Sequence, residues 1–412
     1  MNKNYKKMFL MATILLFTII SIYLFLKFVK ISNFINTNNK KELIFGNGIN
    51  GINGINKYSP NVLYQWATEI EGDLIAIANG SNTGNNNITI YDTNLNNIIT
   101  TIGDDKGSIH APVGMTYDSD NKKLYVVGFP KGTGGSNNYS NLYIINTTTY
   151  KIDNTYNIED KKIGNFLHNV YQFETSDETS DDSKDIFVAA IGNIFSWANY
   201  AHPGDPGYGL VKFNNGNFDY TQCPYHIRSA KQLLSSDENN RCVFAITQED
   251  TRDTQDKNKT KVLKLKWNNN QNKWNLLKEV YIYRNECPPD NFLGDGGADV
   301  VIIKDGIAVS NRVAPSSAIQ NYIYLYNYYL TSLRKVSIPV YHPRYMAYYN
   351  DKLYICSFDK YKDSKPPTQC NSKPNKPQNR LTVIDNPRDN PSINKRLSKS
   401  LGNFTPYFIL FA

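Results

Sequence analysis

An all-β fold of repeated sheets packed around a common axis is predicted by three observations. One phrase recurs along the chain: an apolar strand, a turn, a Tyr-rich strand, then a third strand ending in Asn or Asp. It is clearest in Ala111–Gly128 (APVGMTYDSDNKKLYVVG) and Pro343–Phe358 (PRYMAYYNDKLYICSF), followed by the alternating strands NLYIINTTTYKI from Asn141 and RLTVIDNP from Arg380. Copies start near residues 111, 167, 228, 298 and 343, a spacing of roughly 45 to 70 residues that suits blade-type repeats with loop insertions. Finally, little between residues 61 and 412 keeps a helical period, whereas strands such as NYIYLYNYY from Asn321 alternate at period two.

A unit of four short strands cannot bury both faces alone, so such units pack radially into a β-propeller. A β-sandwich with evenly spaced hairpins is the competing architecture, but it gives one phrase no reason to repeat. The weaker copies are LHNVYQF with DIFVAAIGN, SAKQLL with RCVFAIT, and ADVVIIKDGIAVSN. The segment from Glu71 (EGDLIAIANG, then NITIYDTNLNNIITTI) has the same cadence. Seven blades are expected, with six as the alternative, because a seventh would draw on the weak 42–66 region. The terminal strand TPYFILFA, Thr405–Ala412, is apolar to its last residue and must be tied down. Pairing it into the same blade as an N-terminal strand, such as Glu71–Ala78, would close the ring and remove the open edge.

Ahead of the propeller, Met8–Leu26 is a 19-residue stretch without a charge, long enough to cross a bilayer core as a helix. No small-residue cleavage site follows, so an uncleaved anchor is favoured over a signal peptide. The chain divides into a short tail (1–7), a transmembrane signal-anchor helix (8–29), a low-complexity stalk carrying GNGINGINGIN (30–60) and the propeller (61–412). Lysines flank both ends of the span and do not fix its orientation. The globular part is expected outside the cell or in a lumen.

Charge argues against a nucleic-acid partner. The net charge is +8, but seven of the 45 basic residues and no acidic residue fall in 1–41. The remaining 38 basic residues face 37 acidic ones, leaving no basic footprint. The five cysteines show no C-x-x-C and no zinc spacing; a disulfide between Cys356 and Cys370 would close one loop. The Gly294–Asp299 cluster GDGGAD lacks the spaced oxygen ligands of a calcium loop. His202 and His342 have no neighbours at metal-ligand spacing, and no phosphate loop, dinucleotide fingerprint or G-x-S-x-G is present. Neither a metal nor a cofactor is expected.

Several landmarks, in order, resemble the lactonase-type propellers, the family of 6-phosphogluconolactonases and 3-carboxy-cis,cis-muconate lactonizing enzymes. LHNVYQF resembles the family's His-containing strand, and PYHIRSAKQL its Pro-Arg strand start. AITQED resembles the strand ending in a glutamate, and ADVVIIKDGIAVSNR the strand pair ending in Ser-Asn-Arg. HPRYMAYYNDKLYICSFD and TPYFILFA resemble its last blade and last strand. Residues 71–156 also resemble surface-layer-type propeller repeats.

The lactonase resemblance covers about residues 165–412. It implies His168 as acid or base, Glu249 (or the adjacent Gln248) as its partner, Arg228 and Arg312 as carboxylate clamps, and Asp299 at the substrate. Imidazole titrates near neutrality, and the planar guanidinium grips a carboxylate through two hydrogen bonds. Two functions are carried forward. One is a membrane-tethered enzyme opening or closing a small carboxylated lactone. The other is a non-catalytic surface propeller whose Tyr- and Asn-rich loops bind a protein or glycan.

Overall fold

A computed structural model gives the architecture. It describes residues 43–45, 64–70, 74–80, 86–92, 97–103, 109–128, 140–158, 166–175, 184–191, 209–219, 223, 225, 227–234, 242–247, 259–283, 297–311, 321–338, 343–357, 379–402 and 409–411. The chain divides into a unit Met1–Leu43 and a unit Ile44–Ala412, and the six blades described below belong to the second.

A short strand β1 (Leu43–Phe45) precedes six antiparallel sheets in chain order. Blade 1 holds β2 (Tyr64–Ile70), β3 (Leu74–Gly80), β4 (Asn87–Asp92) and β5 (Ile98–Ile102). Blade 2 holds β6 (Pro112–Asp118), β7 (Lys123–Gly128), β8 (Asn141–Asn146) and β9 (Lys151–Asn157). Blade 3 holds β10 (Phe166–Glu174), β11 (Lys184–Ile191), β12 (Gly209–Asn214) and β13 (Asn217–Asp219). Blade 4 holds β14 (Ile227–Leu233), β15 (Cys242–Thr247), β16 (Lys259–Asn268) and β17 (Lys273–Tyr283). Blade 5 holds β18 (Gly297–Ile303), β19 (Gly306–Asn311), β20 (Asn321–Asn327) and β21 (Ser332–Ile338). Blade 6 holds β22 (Pro343–Tyr349), β23 (Lys352–Ser357), β24 (Asn379–Asp385) and β25 (Ser392–Ile393), with β26 (Lys399–Gly402) also on β24. The last strand is β27 (Ile409–Phe411).

The first strand of each blade packs against the first strand of the next, from β2 through β6, β10, β14 and β18 to β22, which makes these the inner strands of a β-propeller. Period-two alternation supplies both interfaces of each sheet. In β11, Ile186, Val188 and Ala190 join the core shared with blade 2, while Phe187 and Ala189 join the core shared with blade 4. One apolar cluster lies at each junction between consecutive blades from 1 to 6. Each fully buried Leu, Ile, Val or Phe there contributes about 1.5–3 kcal/mol relative to exposure.

Among the described residues there are six blades, where seven were favoured. The seventh would have drawn on residues 42–66, of which the described residues form β1 and the start of β2. β27 pairs with β1 in a two-stranded ribbon and packs against β22, β23 and β2. The final strand does meet a strand from the N-terminal part of the chain, but outside any blade and not in the Glu71–Ala78 segment: β3, which covers that segment, is already paired on both sides within blade 1. β1 falls inside the stretch read as stalk. Among the described residues no helix is long and apolar enough to cross a membrane. The span expected over residues 8–29 lies outside the described residues.

Because all pairings within the blades are antiparallel, strand ends sort onto two faces. One face receives tight turns, among them Asn215–Gly216 (φ 48° and 90°) and Asn350–Asp351 (φ 49° and 54°), the left-handed pairs that a two-residue hairpin requires. On the opposite face stand the strand ends that flank the longest connections in the sequence, residues 129–140, 192–208, 248–258, 284–296 and 358–378, which but for Ser140 lie outside the described residues. Every inner strand from β6 onward also starts there.

Candidate functional site

The inner strands begin with a shared irregularity. In blades 2 to 6, one residue near the start of the inner strand is skipped in the pairing with the second strand. The skipped residues are Val113, His168, Arg228, Ala298 and Arg344. A β-bulge of this kind sets two residues of one strand against one of the next, and bulges concentrate next to active sites. Three residues of acid–base or anion-binding type thus occupy one register position on the loop-rich face. Two of them, His168 and Arg228, were singled out in the sequence. Arg344 was not, although the Pro-Arg phrase sought near Pro224 stands intact at Pro343–Arg344.

The strands that pair with these bulges end on the same face. Ile227 faces Thr247, the last residue of β15, and Gly297 faces Asn311, the last residue of β19. Glu249 and Arg312 follow those two ends in sequence, and both lie outside the described residues. The Arg228 side chain is half-buried.

Asp299 follows the blade 5 bulge and is buried, at 8% exposure. Its Oδ1 accepts hydrogen bonds from Ser229 Oγ at 2.7 Å and Val300 N at 2.9 Å, and its Oδ2 from Met346 N at 2.8 Å. Its own N–H donates to Ser310 Oγ at 3.0 Å. This one carboxylate therefore joins the inner strands of blades 4, 5 and 6. Burial raises its pKa, while the charge of Lys231 and the hydrogen bonds from Ser229, Met346 and Val300 pull it back.

Asn169 holds the equivalent place in blade 3, with its Oδ1 accepting from Val170 N at 2.9 Å. It abuts Gly114 of blade 2, where an added Cβ would lie 2.4 Å from Asn169 Oδ1. Next to it, Tyr171 is buried between blades 3 and 4. Burial, and secondarily the Asp299 charge, push its phenol far above the usual range; Asn169, the Ala230 backbone and Arg228 act in the opposite direction. None of the three makes a hydrogen bond of good geometry to the Tyr171 hydroxyl. The phenol is a neutral group at any physiological pH.

Cys356 is a free, buried thiol in β23, and its expected partner Cys370 lies outside the described residues. Among the described residues no group of His, Cys, Asp and Glu side chains is arranged to hold a metal ion.

Solved structures show the same fold at low identity. The periplasmic gluconolactonase PpgL of Pseudomonas aeruginosa superposes with a TM-score of 0.54 at 12% identity, over 89% of this chain and 92% of that one. A candidate 6-phosphogluconolactonase of Bacteroides fragilis gives a TM-score of 0.51 at 12% identity, over 85% and 86% of the two chains. No protein-family model matches the chain, and no curated protein matches it in sequence. The likeness of residues 71–156 to surface-layer repeats thus rests on the residues alone.

Proposed function

We propose that this chain is a membrane-tethered, lactonase-type propeller that opens or closes a small carboxylated lactone at its loop-rich face. The observation that carries this reading is the shared bulge register of His168 and Arg228 in adjacent inner strands. The fold shared with structures described as a gluconolactonase and a candidate 6-phosphogluconolactonase supports the reaction class. In this reading His168 takes a proton from water as the water oxygen bonds to the lactone carbonyl carbon. The ring carbon–oxygen bond then breaks, and His168 returns the proton to the leaving ring oxygen. Glu249 orients the imidazole, and Arg228 with Arg312 holds the substrate carboxylate through bidentate contacts. Asp299 supports the strand starts, its carboxylate being occupied by Ser229, Val300 and Met346. Residues 8–29 tether the enzyme, with the propeller extracellular or lumenal.

The test is hydrolysis of 6-phosphogluconolactone and of a carboxylated lactone by the full-length chain in membrane fractions. Wild type is expected to turn over one of them, and His168→Ala to lose about 10²–10⁴ of that rate, the usual contribution of general acid–base catalysis. Unchanged turnover in His168→Ala would remove the proposed chemistry. Absence of turnover in wild type would leave the binding propeller, and activity confined to soluble fractions would remove the tether.

A further inference from the structure

We propose that Arg344 is a second ligand-binding arginine of this face, acting with Arg228 on a small organic anion that bears a carboxylate or a phosphate. The inference deepens the lactonase-type reading and rests on it only for the identity of the anion.

The register carries the argument. Arg344 is the residue skipped between Pro343 and Tyr345 in the pairing of β22 with β23. Arg228 is skipped in the same way between Ile227 and Ser229 in the pairing of β14 with β15. The two arginines thus hold one structural position two blades apart, and the blade between them places only an alanine, Ala298, at its bulge. The backbones that bear them are tied to a common point. Asp299 accepts from the Ser229 hydroxyl, next to Arg228, and from the Met346 N–H, two residues beyond Arg344. A buried carboxylate hydrogen-bonded to both strands ties these strand starts together, and such pre-organisation is what bidentate anion recognition requires.

Two sources of the anion share this chemistry, a carboxylate and a phosphate, so two probes are used. The purified full-length chain is titrated calorimetrically with gluconate and with 6-phosphogluconate. Wild type is expected to bind at least one. Arg228→Gln and Arg344→Gln should each weaken that binding about tenfold or more, as expected for loss of a charge-assisted hydrogen-bonding partner. Arg344→Lys keeps the charge without the planar fork and should recover part of the affinity, which separates ligand binding from a general loss of fold. Arg388→Gln, whose ion pair with Asp305 lies on the turn face, should bind as wild type does. Binding of 6-phosphogluconate alone assigns a phosphate; equal binding of both assigns a carboxylate.

The inference is overturned if Arg344→Gln binds both probes as tightly as wild type, or if wild type binds neither. Anion binding without lactone turnover would instead sink the reaction and leave the arginine pair standing.

Discussion

Blades 2 and 3 meet through Gly114 and Asn169, and blades 4 and 5 meet through Ser229 and Asp299; the four residues stand one place beyond the bulge in their respective strands. In both pairs the later residue turns Oδ1 back to the next backbone N–H, at 2.9 Å in each case. The pairs differ in charge and in reach. Asn169 is accommodated because Gly114 has no side chain, and the contact is steric. Asp299 replaces that contact with a hydroxyl donor and extends its second oxygen to a third blade. One plan thus gives a neutral spacer at one junction and a buried carboxyl tie at another, and the tie lies between the two arginine-bearing bulges.

The comparison can be broken by truncation. Asp299→Ala would strand three buried donors and is expected to cost about 3–5 kcal/mol, measured by chemical denaturation. Asn169→Ala strands one backbone donor and should cost clearly less. Equal losses would show that the extra reach of Asp299 adds nothing. Gly114→Ala tests the other half. The new Cβ would also meet the Asn169 Cα at 2.9 Å, so backbone must move, at a cost of about 1–3 kcal/mol. Wild-type stability in that variant would mean the blades are not in contact there.

The smallest effect is pH dependence. Burial raises the Asp299 pKa in the folded chain, so its ionisation opposes folding. The associated stability is fully present below the ordinary carboxylate pKa and is lost as pH rises through the higher folded value. Wild type should therefore lose stability relative to Asp299→Asn across that window, by up to about 1.4 kcal/mol per pH unit for one proton. Urea midpoints of the two proteins that run parallel with pH would contradict the assignment. The Asn169 junction has no such group and should show no such trend.

Much of this architecture was legible in the residues. Alternating strands, Gly- and Asn-rich turns and a repeated phrase specify sheets, because a pleated strand exposes alternate faces and each blade must bury both. The two-sided patterning of β11 is readable in DIFVAAI before any coordinates. The candidate site was legible in part. His168 and Arg228 were found through order and resemblance, but Arg344 was passed over because nothing local marks a bulge. Whether a residue is skipped depends on the neighbouring strand. Asp299 was placed at the substrate by the same resemblance, and nothing in its local sequence announces the contacts it makes. Two of its three donors, Ser229 and Met346, lie 70 and 47 residues away in the chain, and only folding brings them to it.

By itself, then, the sequence determined the strand content, the repeated units, the charge segregated into the first 41 residues and the need to secure an apolar final strand. The tertiary structure decided the number of blades, the partner of that final strand and the common register of His168, Arg228 and Arg344. The division has a physical cause. Strand propensity and burial pattern are local properties of a segment, whereas ring closure and bulge alignment are set by pairing between segments remote in the chain.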